Sequence, residues 1–497
     1  MPHLCGMKTF AIKTILLTSI GAVLMMNGWA QEARRLSLDE TILLAQQKSP
    51  SAVAAQHTLR SAYWTYRNYL ATYKPSVSLI ESPYYRRKFE LVTQANGTTQ
   101  YKYVNRMGNE LTLQVSQQIP LTGGSLFIQS NLERTDQKLG NKSQHAYSTE
   151  PISIGYQQDM IGYNEMKWNR RIEPLRWQEA QKQYSETMEL VAAQACNYFF
   201  ALATAQTNVE IARCNLASAD TLFSYAEGRY NIGTITENEM LQLRLNRLRE
   251  ENNLIDAEAN LQSAAENLRN YLDLPTTTQL CAVTDDHLPQ LEVPVAEALA
   301  LALQNNPDPD NFRRSQLESR QNQAYVRANT GLKADLYLQF GLSQTGTELT
   351  DAYRRPSDMQ YASVTISVPI LDWGRGKGRR RVAQSNVDLA DIRAEQGMKS
   401  FVQNVTQMVQ QFNLQSRRVT VARQTDQTAM KRYEVARRLY ILGKNTILDL
   451  NSAIAEKDSS RRNYIQSLSA YWSLYYGLRS LTGYDFALQL PISHPLP

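Results

Sequence analysis

Histidine and cysteine are scarce in this chain of 497 residues, five and four respectively. No Ser/His/Asp arrangement and no cluster with metal-ligand spacing forms from them, so no catalytic residue, metal or cofactor is expected. Cys196 and Cys214 lie roughly 27 Å apart along one helical stretch, while a disulfide needs Cα atoms within ~7 Å. With Cys281 they make an odd set without a C-x-x-C motif, and read as small apolar fillers. An excess of one charge is missing too. The 53 basic and 47 acidic residues leave +6, which gives no reason to invoke nucleic acid. Long apolar runs are absent beyond residue 30; none reaches the ~18–20 residues of a membrane-spanning helix, which excludes an inner-membrane protein. Phenylalanine is also sparse, 11 against 27 tyrosines. That skew suits surfaces that are half wet and half apolar.

The N-terminus carries Lys8 and Lys13, an apolar stretch from Thr14 to Met26, and small residues at Gly28 and Ala30. This is the pattern of a secretory signal peptide over residues 1–30. The apolar stretch is too short to anchor the chain as a spanning helix.

Proline is missing from two long tracts, Pro174 to Pro275 and Pro369 to Pro491. Helix interiors exclude proline, so each tract predicts a long helical hairpin. A glycine marks each turn: Tyr230-Asn-Ile-Gly233-Thr-Ile and Tyr440-Ile-Leu-Gly443-Lys-Asn. The arms are expected at about Pro174 (a good first helical residue) to Tyr230, Glu237 to Leu272, Lys377 to Leu442 and Ile447 to Leu481. Leu254, Ala257, Leu261, Ala264, Leu268 and Tyr271 step by three and four, as do Leu468, Tyr471, Tyr475 and Leu478. That spacing is a coiled-coil seam, and an ordinary helical bundle would share it.

Ahead of each tract the period changes to two. Leu111, Leu113 and Val115 alternate with polar residues, as do Leu336, Leu338, Phe340 and Leu342, then Ala362, Val364, Ile366 and Val368. Ile152, Ile154 and Tyr156 repeat this more briefly. Such segments are as long as a tilted strand needs to cross a bilayer, although a half-buried soluble sheet gives the same alternation. Tyr84, Tyr85, Tyr101, Tyr103, Tyr163, Trp168, Tyr353 and Trp373 cluster near strand ends, which favours a membrane girdle.

The chain is internally duplicated. Leu38-Asp-Glu-Thr-Ile-Leu-Leu-Ala-Gln-Gln-Lys-Ser-Pro50 matches Val295-Ala-Glu-Ala-Leu-Ala-Leu-Ala-Leu-Gln-Asn-Asn-Pro307 at constant offset, and Ile119-Pro120-Leu121 answers Val368-Pro369-Ile370. The expected organisation is a first repeat over 31–283 (strands in 77–160, hairpin 174–272), a second over 284–484 (strands in 334–370, hairpin 377–482) and a tail over 485–497.

This order of exported leader, strands and long hairpins, given twice, resembles the TolC family of outer-membrane efflux proteins. The paired tips Arg229–Glu239 and Tyr440–Asp449, with Pro369-Ile-Leu-Asp-Trp-Gly-Arg-Gly376, carry the resemblance. It covers about Leu36 to Tyr484. It implies a membrane α+β fold: a homotrimer with one outer-membrane β-barrel and one periplasmic α-helical coiled-coil barrel. The function implied is a non-enzymatic exit duct of a tripartite efflux or type I secretion system. Its implied partners are a periplasmic adaptor, an inner-membrane transporter and outer-membrane lipid. Ile232, Gly233, Leu442 and Gly443 would be the adaptor-contacting tips. The family's periplasmic gate maps onto Tyr440, Glu239 and Asp449; the second ring acid is Ser452 here and the gate arginine is Asn445. Thr236-x-x-Glu239 and Thr446-x-x-Asp449 also fit helix-capping boxes, and the two roles can coexist.

The basic run Arg375-Gly-Lys377-Gly-Arg379-Arg380-Arg381 lacks phosphate-loop spacing and reads as a collar near lipid headgroups. The first half offers four extended segments, near 77–92, 101–119, 124–133 and 151–160, and the second only two. The resemblance implies two per half, so an extra hairpin over the rim and a wider barrel both remain open. A secreted coiled-coil structural or adhesive protein is the alternative reading, but it leaves the alternating strands unexplained.

Overall fold

The computed structural model describes residues 34–494 except 94–96, 140–141, 285–287, 290 and 443. The expected signal peptide and the tip glycine Gly443 lie outside the described residues. A short strand β1 (Arg34–Leu36) leads into α1 (Leu38–Lys48) and α2 (Pro50–Ala71), followed by β2 (Ser76–Thr93), β3 (Thr99–Gln118), β4 (Ser125–Leu139) and β5 (Lys142–Gln158). The first hairpin is α3 (Glu165–Asn231) and α4 (Glu237–Tyr271), and β6 (Leu280–Ala282) closes the half by pairing with β1. The second half runs α5 (Val295–Asn305), α6 (Asp308–Asn329), β7 (Lys333–Gly346), a single turn α7 (Leu349–Ala352), β8 (Ser357–Ser367), α8 (Arg375–Ile441) and α9 (Ile447–Thr482). Two short strands, β9 (Tyr484–Asp485) and β10 (Leu490–Pro491), end the described chain.

Both long helices have 67 residues, about 100 Å at 1.5 Å per residue. The first starts earlier than its proline predicts. Asn164 caps α3, its Oδ1 accepting from the Lys167 amide at 3.0 Å, so Pro174 sits inside the helix. One missing amide donor there is tolerated in a helix this long and this well packed.

Each long helix is flanked over both of its halves. Near the strands the order is α2–α3–α6–α8, and beyond the middle it is α4–α3–α9–α8. Where these layers meet, α1, α5, β1 and β6 wrap the main core, built on Leu36, Phe199, Leu202, Leu268, Phe412, Tyr471 and Leu478. The predicted seams are its spine: Leu268, Leu468, Tyr471 and Leu478 are at most 1 % exposed.

A polar ladder accompanies the apolar core. On α3, Arg176, Glu179, Lys182, Glu186 and Glu189 recur at three- and four-residue steps and so share one face. They meet Glu318 at 2.7 Å, Arg314 at 2.5 Å, Asp310 at 2.6 Å, Asn306 at 3.2 Å and Arg479 at 2.8 Å. Burial alone pushes the Glu318 carboxyl up, but hydrogen bonds from Arg176 and Arg314 outweigh it and hold the pKa below its usual value.

Among the described residues the strands form one six-stranded antiparallel sheet in the order β2-β3-β4-β5-β7-β8. The four extended segments of the first half thus join the two of the second directly. They run 11 to 20 residues, longer than the apolar alternation itself, because pairing continues past it. Register shifts between Gln129 and Asn131 and between Thr149 and Ile152 mark bulges, which bend a sheet and tighten its twist.

Candidate functional site: the two-faced sheet and the hairpin tips

Alternate residues of a strand take opposite faces, and the register lines them up across the sheet. On one face Leu79 faces Leu113, Val115 faces Ile128, Ile128 faces Ile154, and Ile154 faces Phe340. Val364 and Ile366 extend this face on β8. All of these except Val115 are large apolar side chains at least 42 % exposed. So large an apolar area facing outward marks a surface covered by something other than water.

The opposite face carries Ser78, Thr112, Gln114, Gln129, Ser153, Gln339 and Thr365 at the alternate positions. Its acids are hydrogen-bonded: Tyr84 donates to Glu133 at 2.9 Å, Asn131 to Glu110 at 2.5 Å, and Gln339 to Glu150 at 3.0 Å. Tyr84 therefore belongs to the wet face and not to the aromatic girdle expected of it; its ring covers Gly108, where a Cβ would strike it. At the helix end of the sheet, Leu121, Ile370 and Trp373 project at 89, 96 and 90 % exposure. Asp372 caps the helix that follows, accepting from the amides of Gly374 at 2.9 Å and Gly376 at 2.7 Å. The basic run from Arg375 to Arg381 thus begins α8 beside an exposed tryptophan.

At the far ends of the helices each tip is built by local chemistry. Gly233 takes φ 75 and donates its amide to the Tyr230 carbonyl at 2.8 Å, a left-handed turn that glycine adopts without strain. Thr236 then caps α4 in a reciprocal box with Glu239: the Glu239 amide reaches Thr236 Oγ1 at 3.3 Å, and the Thr236 amide reaches Glu239 Oε2 at 2.9 Å. Thr446 and Asp449 repeat the box on α9. Hydrogen bonds from the Thr446 hydroxyl and amide, with Arg432 nearby, hold the Asp449 pKa below its ordinary value.

The expected gate residues fall into two environments. Glu239 and Asp449 are exposed. Tyr440 packs into a small cluster of Ala436, Leu450, Ala453 and Ile454 that also takes Leu222 from α3. Among the described residues no hydrogen bond or ion pair joins Tyr440, Glu239 and Asp449 within one chain. The expected tip residues Ile232 and Leu442 are 75 and 67 % exposed. Leu448, inside the second box and missed in the sequence reading, is 77 % exposed. Its signal was an apolar residue at a helix start, where capping residues dominate.

A family model described as outer membrane efflux protein matches residues 102–273 and 298–484, one segment in each half of the duplication. The chain belongs to the outer membrane efflux protein family. Members of this family are outer-membrane channels that reach into the periplasm, and they work as trimers with adaptors and inner-membrane pumps. Solved structures repeat the fold. The CmeC outer membrane channel of Campylobacter jejuni is 14 % identical with a TM-score of 0.66 over 92 % of this chain and 87 % of its own. The outer membrane protein VceC of Vibrio cholerae is 16 % identical with a TM-score of 0.60, over 90 % and 96 %. CusC, a transmembrane channel, is 15 % identical with a TM-score of 0.63, over 92 % and 94 %. No curated protein sequence matches the chain. This efflux-family chain therefore sits in the outer membrane and extends into the periplasm.

Proposed function

We propose that three copies of this chain close a single passive exit duct, with no enzymatic step of its own. The observation that carries this reading is the pair of sheet edges, β2 and β8, left unpaired among the described residues. A strand edge cannot face hydrocarbon, where every backbone polar group must find a partner. The two edges run in opposite directions, so β8 of one copy can pair antiparallel with β2 of the next, and cyclic repetition removes both.

The periplasmic tips around Ile232 and Gly233, and around Leu442 and Gly443, are the adaptor contacts in this reading. Their exposed apolar side chains on solvated helices support it. Glu239, Asp449 and Tyr440 lie at the constriction, where a three-fold ring of Asp449 carboxylates favours cations. Capping and gating coexist, since each carboxylate spends one oxygen on its helix and leaves the other free. Cargo reaches the duct from an inner-membrane transporter of a tripartite efflux or type I secretion system.

Purified protein in detergent should migrate as a heat-resistant trimer and give discrete conductance steps in planar bilayers. A monomeric, detergent-independent protein in the soluble periplasmic fraction would defeat the proposal.

A further inference from the structure

The first half carries one hairpin more than the two strands per half that the family resemblance implies, and the hairpin of β2 and β3 is the one at the edge of the sheet. A hairpin folded over the rim of a barrel would leave β4 as the wall's edge and would need no membrane-facing side of its own. This hairpin does neither. β3 pairs with β4 from Gln118↔Ser125 to Val104↔Leu139, and β2 pairs with β3 from Ser76↔Ser116 to Thr93↔Thr99.

Its two faces match those of the other strands at the same level. Val77, Leu79, Leu111 and Leu113 are exposed and continue the apolar face through Ile128 and Ile154. Ser76, Ser78, Thr112, Gln114 and Ser116 continue the polar one. Both edge strands also meet the helices at the same end. β2 starts a few residues after α2, and β8 leads into α8.

We infer that all six strands are staves of the membrane wall, so that the trimer closes with eighteen strands and not twelve. This rests on the trimeric reading above. With strands about 4.8 Å apart and tilted by about 40°, eighteen staves enclose a backbone cylinder about 36 Å across, against about 24 Å for twelve. The wider wall belongs to the class of porins that hold an aqueous channel. The outer mouth then passes bulky hydrated solutes, and selection falls to the hairpin tips.

Spin labels on single cysteines test this, in a chain whose Cys196, Cys214 and Cys281 are replaced. Purified trimers are placed in lipid bilayers, and collision with oxygen and with a water-soluble nickel chelate is measured. A label at Leu79→Cys should match one at Val364→Cys in its preference for oxygen. One at Ser78→Cys should match Thr365→Cys in its preference for nickel. In intact cells, Ser116→Cys should also react from outside with a polyethylene-glycol maleimide too bulky for a twelve-stave lumen. Trimers in which Leu79→Cys sees water while Val364→Cys sees lipid would overturn the inference and leave the trimer standing. Failure to isolate any trimer, with the control labels equally wet, would instead remove the reading on which it rests.

Discussion

The guanidinium of Arg479 grips both carboxylate oxygens of Glu189, at 2.8 and 3.2 Å, joining α9 to α3 across 290 residues of sequence. Glu189 is 1 % exposed, so the pair lies in the core. The end of the chain closes over it: Asp485 takes another Arg479 nitrogen at 2.7 Å, and His494 Nε2 lies 3.0 Å from Glu189. Removing one member of a buried pair leaves the other charge without its partner, at a cost of about 3–5 kcal/mol. Arg479→Met, which strands both buried carboxylates, should therefore lower the thermal unfolding temperature in detergent more sharply than Glu189→Ala, which leaves Arg479 its second partner Asp485. Equal damage from both variants would show that the bond to Asp485 contributes little.

Glu186 is one step before Glu189 on the same ladder. Burial raises its pKa, with Asp308 adding to the rise and a hydrogen bond from Asn306 opposing it. A carboxyl whose folded pKa exceeds its unfolded one costs stability at pH above both values, and the cost fades as pH falls through the folded value. Glu186→Gln should accordingly stabilise the protein modestly at neutral pH, its partial exposure limiting the gain. The gain should shrink in mildly acid buffer. Melting curves of both proteins at several pH values decide it, and a gain that persists unchanged into acid would be incompatible with this cause.

Phe127 is buried on the polar face of the sheet, its ring lying where a Cβ of Gly155 would be. Gly155→Val must displace either the ring or the backbone, and overpacking of this kind typically costs about 1–3 kcal/mol. Fewer heat-resistant trimers in gels without boiling are expected. Trimming the ring in the same chain, Phe127→Ala, should restore part of the yield.

The tips separate folding from docking. Gly233→Ala strains the left-handed turn by about 1 kcal/mol and should loosen the first hairpin tip in hydrogen exchange. Ile232→Asp or Leu442→Asp touches only exposed positions, so trimer formation should be untouched while cross-linking to the adaptor falls. Undiminished cross-linking from both aspartate variants would move the contact elsewhere on the helices.

Asp449 keeps its charge well into acid because Thr446 holds its pKa down. Asp449→Asn should weaken cation preference, read as a shift in reversal potential under a salt gradient in planar bilayers. An unchanged reversal potential in the variant would leave Asp449 as a helix cap alone.

Much of this was already written in the chain, because the relevant physics is local. Proline-free tracts, three-four apolar steps and threonine–acid boxes act within a few turns, so the long helices, their seams and the capped tips could be read directly. Alternation of Leu111, Leu113 and Val115 likewise set which residues share a face. Duplication was legible from the match of Leu38–Pro50 to Val295–Pro307. Tertiary structure decided what depends on distant partners. Whether β3 would lie beside β4 as part of one wall was open, since alternation fixes a strand's faces but not its neighbours. The start of α3 moved to Glu165 because capping by Asn164 and packing against α6 outweigh one lost amide at Pro174. Tyr84 turned to the polar face to cover Gly108, and Tyr440 found Leu222, a residue from the other hairpin. The Glu189–Arg479 pair belongs to the same class: an acid and a base far apart in sequence become a bond only when the fold removes the water between them.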